Sequence, residues 1–277
     1  MTRKRILSAA VMLGLFLASL QFERLWWLLP ALIIAFGVLC LSEMALLIEA
    51  KNLRFPFPLC LIGVLVLGWD GYVAGLRHGA AIVAGSMILL LFYRVWLSDY
   101  GNVAAEVGSA LLAIAYIGLP MGMAAALSQM TDASGAVIGK CLLAYQAAVV
   151  FGGDSAAYFV GRHFGRTPFF TRISPKKTVE GAVACVVGSI VIAAIVILLA
   201  PSLKQFLGVR HGLLLGAILG VMSPFGDLAE SVFKRDAGRK DSGFDFTGHG
   251  GFLDIFDALL FGLPIQFCYI QLVLANP

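Results

Sequence analysis

Between Gly181 and Ala200, and again between Ser109 and Leu127, the chain runs for 20 and 19 positions without one charged side chain. That is the helix length needed to cross a hydrocarbon core of about 30 Å. A core helix of a water-soluble protein keeps a polar face, and these segments have none. They are therefore expected to be transmembrane helices. The whole chain agrees, since 60% of its 277 residues are hydrophobic and only 13% charged, against roughly a quarter charged in an ordinary soluble domain.

The fold class expected is all-α, a polytopic transmembrane bundle. Hydropathy marks about nine spans, near residues 6–20, 25–48, 58–75, 79–97, 109–127, 136–160, 181–200, 211–229 and 252–274. The first follows Arg3, Lys4 and Arg5, as a signal peptide would. It is read as an uncleaved span, because Ala18-Ser19-Leu20-Gln21 is a poor cleavage site. Asp70, Arg77 and His78 are read as a short external turn. Cys40, Cys60, Cys141, Cys185 and Cys268 are scattered without CxxC spacing, so they are read as small buried thiols with no zinc or redox role.

Lys and Arg accumulate in cytoplasmic loops. With the N-terminus inside, 15 of the 20 fall on one side, leaving only Arg24, Arg77, Lys140, Lys204 and Arg210 opposite. The N-terminus is therefore expected in the cytoplasm. Two basic, glycine-containing loops, 161–180 and 230–251, then face the same side and can meet over one site. The expected organisation is an N-terminal set of about five spans without motifs, residues 1–135, followed by a catalytic part, residues 136–277.

The chemistry gathers in that second part. Asp227, Glu230, Ser231 and Lys234 are spaced i, i+3, i+4 and i+7, which a helix turns into one face. Charge at the edge of hydrocarbon is costly unless it is paired or lines a watery cavity, so such a stripe points to function; the plainer alternative is a solvated helix end. Asp254 and Asp257 lie three apart among apolar residues. Two carboxylates one turn apart repel, and a divalent cation such as Mg²⁺, alone or shared with Asp227, would relieve the repulsion. A coupling ion or a proton relay in a transporter would use the same pair.

The loop before that pair reads Lys240-Asp241-Ser242-Gly243 and then Gly248-His249-Gly250-Gly251. Glycines allow backbone N–H groups to approach phosphate oxygens, and a helix N-terminus follows. Lys234, Arg235 and Lys240 supply the charge that a triphosphate requires. The combination is that of metal-assisted phosphoryl or nucleotidyl transfer. His249 can donate to a phosphate, act as acid or base, or be structural. Upstream, Ser174 or Thr178 can cap the seventh span, and Lys177 beside that N-terminus would extend an anion site. Asp154, inside an apolar run with Gly152 and Gly153, is either a site-lining group or an interhelical hydrogen-bond acceptor. Glu43, with no motif near it, is left unassigned.

Residues 223–257, SPFGDLAESVFKRDAGRKDSGFDFTGHGGFLDIFD, closely resemble the signature of phosphatidate cytidylyltransferases, also called CDP-diacylglycerol synthases. Asp154-Ser155 with Ala157-Tyr158, and Ser174-Pro175 with Lys177-Thr178 and Glu180-Gly181, are similar to further family segments. The resemblance covers about the last 125 residues; the first 140 are similar only in being hydrophobic and multi-spanning. It implies attack by a phosphatidate phosphate oxygen on the α-phosphorus of CTP, giving CDP-diacylglycerol and pyrophosphate. Asp227 and Asp254 would be the Mg²⁺ carboxylates, leaving a second cation open, and Asp227, Lys234, Asp254 and Asp257 the catalytic set. Ser174, Lys177, Ser231, Arg235, Lys240, Asp241, His249, Gly250, Gly251 and Asp154 would bind substrate.

The resemblance also implies residence in a bacterial inner (cell) membrane with the site facing the cytoplasm. Homodimerisation is an expectation of the family alone, since no span offers a convincing GxxxG face. One position departs from the family. Ile255 stands where an Arg usually follows the first aspartate of the closing pair. Two other readings remain beside the transfer enzyme: a CTP-dependent lipid kinase or related nucleotidyltransferase, and an ion-coupled transporter. A transporter would carry its carboxylates at mid-membrane on broken helices, away from basic loops.

Overall fold

In hydrocarbon every backbone N–H and C=O must be satisfied within the chain, and for apolar runs of this length the helix is the direct solution. A computed structural model describes residues 2–98, 100–132, 134–243 and 251–274, with backbone only for residues 2–9 and Glu23. Its described residues form nine helices: α1 Thr2–Gln21, α2 Leu28–Glu49, α3 Phe57–Ala74, α4 Gly79–Leu97, α5 Val103–Ser128, α6 Gly139–Phe164, α7 Val179–Leu199, α8 Pro201–Asp236 and α9 Leu253–Leu274. The protein is an all-α integral membrane protein, as expected.

Seven of the nine helices are long and apolar enough to cross a membrane. Of the other two, α1 contributes the shorter apolar segment Ala10–Gln21, and α6 carries Gln146, Asp154 and Arg162. The residues expected to link the seventh and eighth spans are helical as well. They form the start of α8, which is kinked at Gly208, where φ is 69° and ψ 161°.

By compactness the chain divides into residues 1–126 with 233–256, and residues 127–232 with 257–277. The motif-based division at 135 and 136 is thus not the division by packing, because the polar ends of α8 and α9 pack with the N-terminal helices.

In the first unit, α3 begins beside Pro56 and Pro58 and ends at Gly75, whose left-handed φ of 63° turns the chain. Asp70 closes the expected external turn, accepting from the His78 N–H at 2.9 Å and meeting its Nδ1 at 2.7 Å. A π-helical turn, Ile114–Gly118, lies within α5 and buries Ile114 and Ile117 completely. Arg94 and Glu106 form a buried ion pair at 2.5 Å, and Glu106 also accepts from the Arg54 backbone at 3.2 Å. The α2–α3 connection is thereby tied to the start of α5.

α3 and α5 meet backbone to backbone. A Cβ on Gly71 would lie 2.0 Å from the Gly122 carbonyl oxygen, whereas one on Gly68 would have open space. Gly71→Ala should therefore destabilise the protein by about 1–3 kcal/mol, because backbone cannot yield as a side chain would. Gly68→Ala should not. Thermal unfolding of the two variants in detergent checks this.

The second unit is held by α6 against α7 and by polar bonds between apolar helices. Gly153 packs against Ser189 and Cys185, and Gly181 against Ala157 and Gly161, which is the close approach that small residues permit. Tyr145 donates to the Gly212 carbonyl at 2.5 Å, Gln146 to Leu259 at 3.0 Å and Gln266 to Leu142 at 2.9 Å. Thr178 caps α7, accepting from the Gly181 N–H at 3.2 Å. Of the two expected caps it is the one used. The Ser174 backbone N–H instead donates to Phe170 at 3.0 Å in the preceding turn.

Candidate active site

Within the second unit, α8 brings up Asp227 and Glu230 one turn apart, as their spacing requires. α9 adds Asp257. One carboxylate oxygen from each of the three lies within 4.8 Å of the others. Glu230 is fully buried and Asp257 is 6% exposed. Three carboxylates so close, two of them buried, repel strongly unless a proton or a cation is shared, and hard oxygen donors suit a divalent ion. This group fits a cation.

Lys177 is the positive neighbour. Its ammonium lies 2.7 Å from Asp227 and donates to the Pro224 carbonyl at 3.0 Å. The seventh-span loop therefore delivers a cation to the carboxylates of α8. Ser231 is buried on the same helix. Asp154 accepts from Ser223 at 2.6 Å, with the Cys185 thiol at 3.8 Å. It is thus an interhelical acceptor joining α6 to α8. Ser174 is half-buried.

Within the first unit, Lys234 and Asp254 form an ion pair whose side chains are only 11% and 14% exposed. The second oxygen of Asp254 accepts from the Gly251 N–H at 2.7 Å, the Ser242 hydroxyl at 2.9 Å and the Ser242 N–H at 3.3 Å. Asp254 and Asp257 were read from sequence as a mutually repelling pair, yet each has its own partners. The Gly251 N–H, expected to face phosphate, is engaged by Asp254. Arg235, Lys240 and Asp241 are exposed. His249 and Gly250 lie outside the described residues.

Glu43 is the residue that sequence reasoning left unassigned. It is 3% exposed in α2 and accepts two backbone hydrogen bonds in the first unit, beside a hydroxyl that it shares with Asp254. The Phe252 and Leu253 N–H groups donate at 2.8 Å each, and the Ser242 hydroxyl, whose one proton is shared between Glu43 and Asp254, lies at 2.9 Å. Its only signal in sequence was a carboxylate in an apolar span, with nothing to name its partners. Glu230 lay beside Asp227 on the expected helix face, but only the fold joins the two to Asp257.

Residues 3–273 match the model of the cytidylyltransferase family. A phosphatidate cytidylyltransferase of Bacillus subtilis (strain 168) is 33% identical over 250 residues, 88% of this chain and 88% of that protein. One of Staphylococcus saprophyticus is 30% identical over 265 residues, 94% of this chain and 96% of the relative. A phosphatidate cytidylyltransferase of Synechocystis is 42% identical over a shorter stretch of 127 residues, covering 46% of this chain and 42% of that protein.

Proposed function

This chain belongs to the cytidylyltransferase family, and on that premise we propose that it transfers CMP from CTP to phosphatidate, releasing pyrophosphate and giving CDP-diacylglycerol for phospholipid synthesis. The observation that carries the reading is the convergence of Asp227, Glu230 and Asp257, with Lys177 beside Asp227, in a membrane-spanning helical chain. Those are the charges of an anionic transfer site, delivered where a lipid phosphate is at hand.

The phosphatidate phosphate is already an anion, so no side chain has to generate the nucleophile. One of its oxygens forms a bond to the α-phosphorus of CTP while the bond to the bridging oxygen breaks, and pyrophosphate leaves with that electron pair. Lys177, Lys234, Arg235 and Lys240 hold phosphate oxygens and neutralise charge, and Ser174 and Ser231 donate hydrogen bonds to them. Asp227, with Glu230 and Asp257 beside it, would hold Mg²⁺, which would supply charge neutralisation at the transferring phosphoryl group, and Asp254 is proposed as a further metal carboxylate. The site is proposed to face the cytoplasm from a bacterial cell membrane.

The test is incubation of the detergent-purified protein with phosphatidate, Mg²⁺ and CTP labelled at the α- or the γ-phosphate. Label from the α-position in the lipid is expected, with γ-label released in pyrophosphate. Lipid carrying γ-label, or no labelled lipid from a folded protein, overturns the proposal.

Ile255 sits half-buried next to Asp254, where the usual guanidinium is missing. Ile255→Arg should raise kcat/KM for CTP by about tenfold, the scale of one charge-assisted hydrogen bond. Unchanged kinetics would mean that the phosphate charge is already matched by the cations present.

A further inference from the structure

A helix N-terminus leaves N–H groups that a polar residue just before it normally satisfies. At the start of α9 that position is Phe252, which has no side chain able to accept. The acceptor comes instead from α2. Glu43 receives the Phe252 and Leu253 N–H groups with one oxygen each, where the helix dipole also favours a negative charge.

The same carboxylate shapes the chain on both sides of Asp254. A Cβ on Gly243 would lie 2.4 Å from Glu43 Cγ, and one on Gly251 would lie 2.2 Å from Glu43 Oε2 and 2.1 Å from Ser242 Oγ. Both glycines are therefore required where Glu43 packs, whatever else the loop binds. Ser242 is fully buried, and its hydroxyl is 2.9 Å from Glu43 Oε2 and 2.9 Å from Asp254 Oδ2. The Gly251 N–H completes the hold on Asp254. The donors that orient Asp254 against Lys234 are thus the groups that Glu43 itself packs or binds.

We infer that Glu43 is a positioning residue for the transfer reaction, acting through Ser242 and the N-terminus of α9 to fix the Asp254 carboxylate. It lies about two hundred residues from its partners, in the part of the chain that carries no motif. Its oxygens are engaged within the protein, so it holds Asp254 without touching substrate. The kinetic part of this inference rests on the proposed CMP transfer; the structural part does not.

The test uses the full-length protein with Glu43→Ala, Glu43→Gln, Ser242→Ala and the Glu43→Ala/Ser242→Ala double variant. Glu43→Ala should lower kcat by about tenfold to a hundredfold and raise the Mg²⁺ concentration for half-maximal rate, the range seen when a group supporting a metal carboxylate is lost. The KM for CTP should move by less than about threefold, since a lost orienting contact acts mainly on the transition state. Glu43→Gln should fall between, because its amide oxygen still accepts one N–H. The double variant should be no worse than Glu43→Ala, as expected when two residues act through one network.

Hydrogen exchange of the Phe252 and Leu253 amides should accelerate about tenfold or more in Glu43→Ala. Glu106→Gln, at a similarly buried carboxylate of the same unit, should lower thermal stability and leave kcat and the Mg²⁺ requirement of the folded protein unchanged. Folded Glu43→Ala protein with wild-type kcat and metal requirement overturns the inference, as do additive losses in the double variant. If the wild-type protein makes no CDP-lipid, the proposed reaction fails and amide exchange decides: unchanged exchange in Glu43→Ala overturns the role of Glu43, and accelerated exchange upholds its hold on the Asp254 segment.

Discussion

Asp227→Asn should reduce the formation of CDP-lipid by at least about a hundredfold, the scale of removing one preorganised electrostatic contact from an active site. The substitution keeps the size and shape of the side chain, removes its charge and turns one acceptor oxygen into an N–H₂ donor. Asp227 is 48% exposed, so that charge contributes little to stability. Its partner Lys177 keeps the Pro224 carbonyl as an acceptor. The expected result is therefore a folded, inactive protein, with an unfolding temperature close to wild type. Labelled-CTP assays beside thermal unfolding in detergent read both quantities. A variant that retains turnover would remove Asp227 from the site.

Asp254→Asn should differ in kind. Activity should again fall by about a hundredfold or more, but stability should fall with it. Among the described residues the Asp254 oxygens meet the Lys234 ammonium, the Gly251 and Ser242 N–H groups and the Ser242 hydroxyl. An asparagine must turn its own N–H₂ toward one of these. It also breaks an ion pair whose side chains are 11% and 14% exposed, and removing one partner of such a buried pair costs about 3–5 kcal/mol. Inactive protein with unchanged stability would show that the local donors repack around the amide. Retained turnover would exclude Asp254 as a metal carboxylate.

The contrast between these neighbours shows how far the motif could be read locally. Asp254 and Asp257 are one turn apart, and one-dimensional spacing says only that they repel. Their separate partners come from elsewhere: Lys234 and Ser242 for Asp254, Asp227 and Glu230 for Asp257. Lys177 was legible as a cation at a helix start, because Thr178 and Glu180-Gly181 mark that start in sequence. That it reaches Asp227 was not. Asp154 left two roles open, and the bond from Ser223 supplies the interhelical one.

Helical class and membrane residence follow from sequence alone, and so do the residue types proposed for the site. Long uncharged runs have only one way to satisfy their backbone in lipid, and phosphate chemistry needs lysines and carboxylates whatever surrounds them. Spacing along one helix also follows, because 3.6 residues per turn put Asp227 and Glu230 on one face before any packing is known. Tertiary structure decided which charges share partners. It also decided that Gly243 and Gly251 are glycines because Glu43 occupies the space of a side chain. The physical reason is the same in each case: hydrogen bonds and close contacts between helices depend on distances in space. Glu43 and Ser242 are 199 positions apart, and no periodicity in the chain records that they touch.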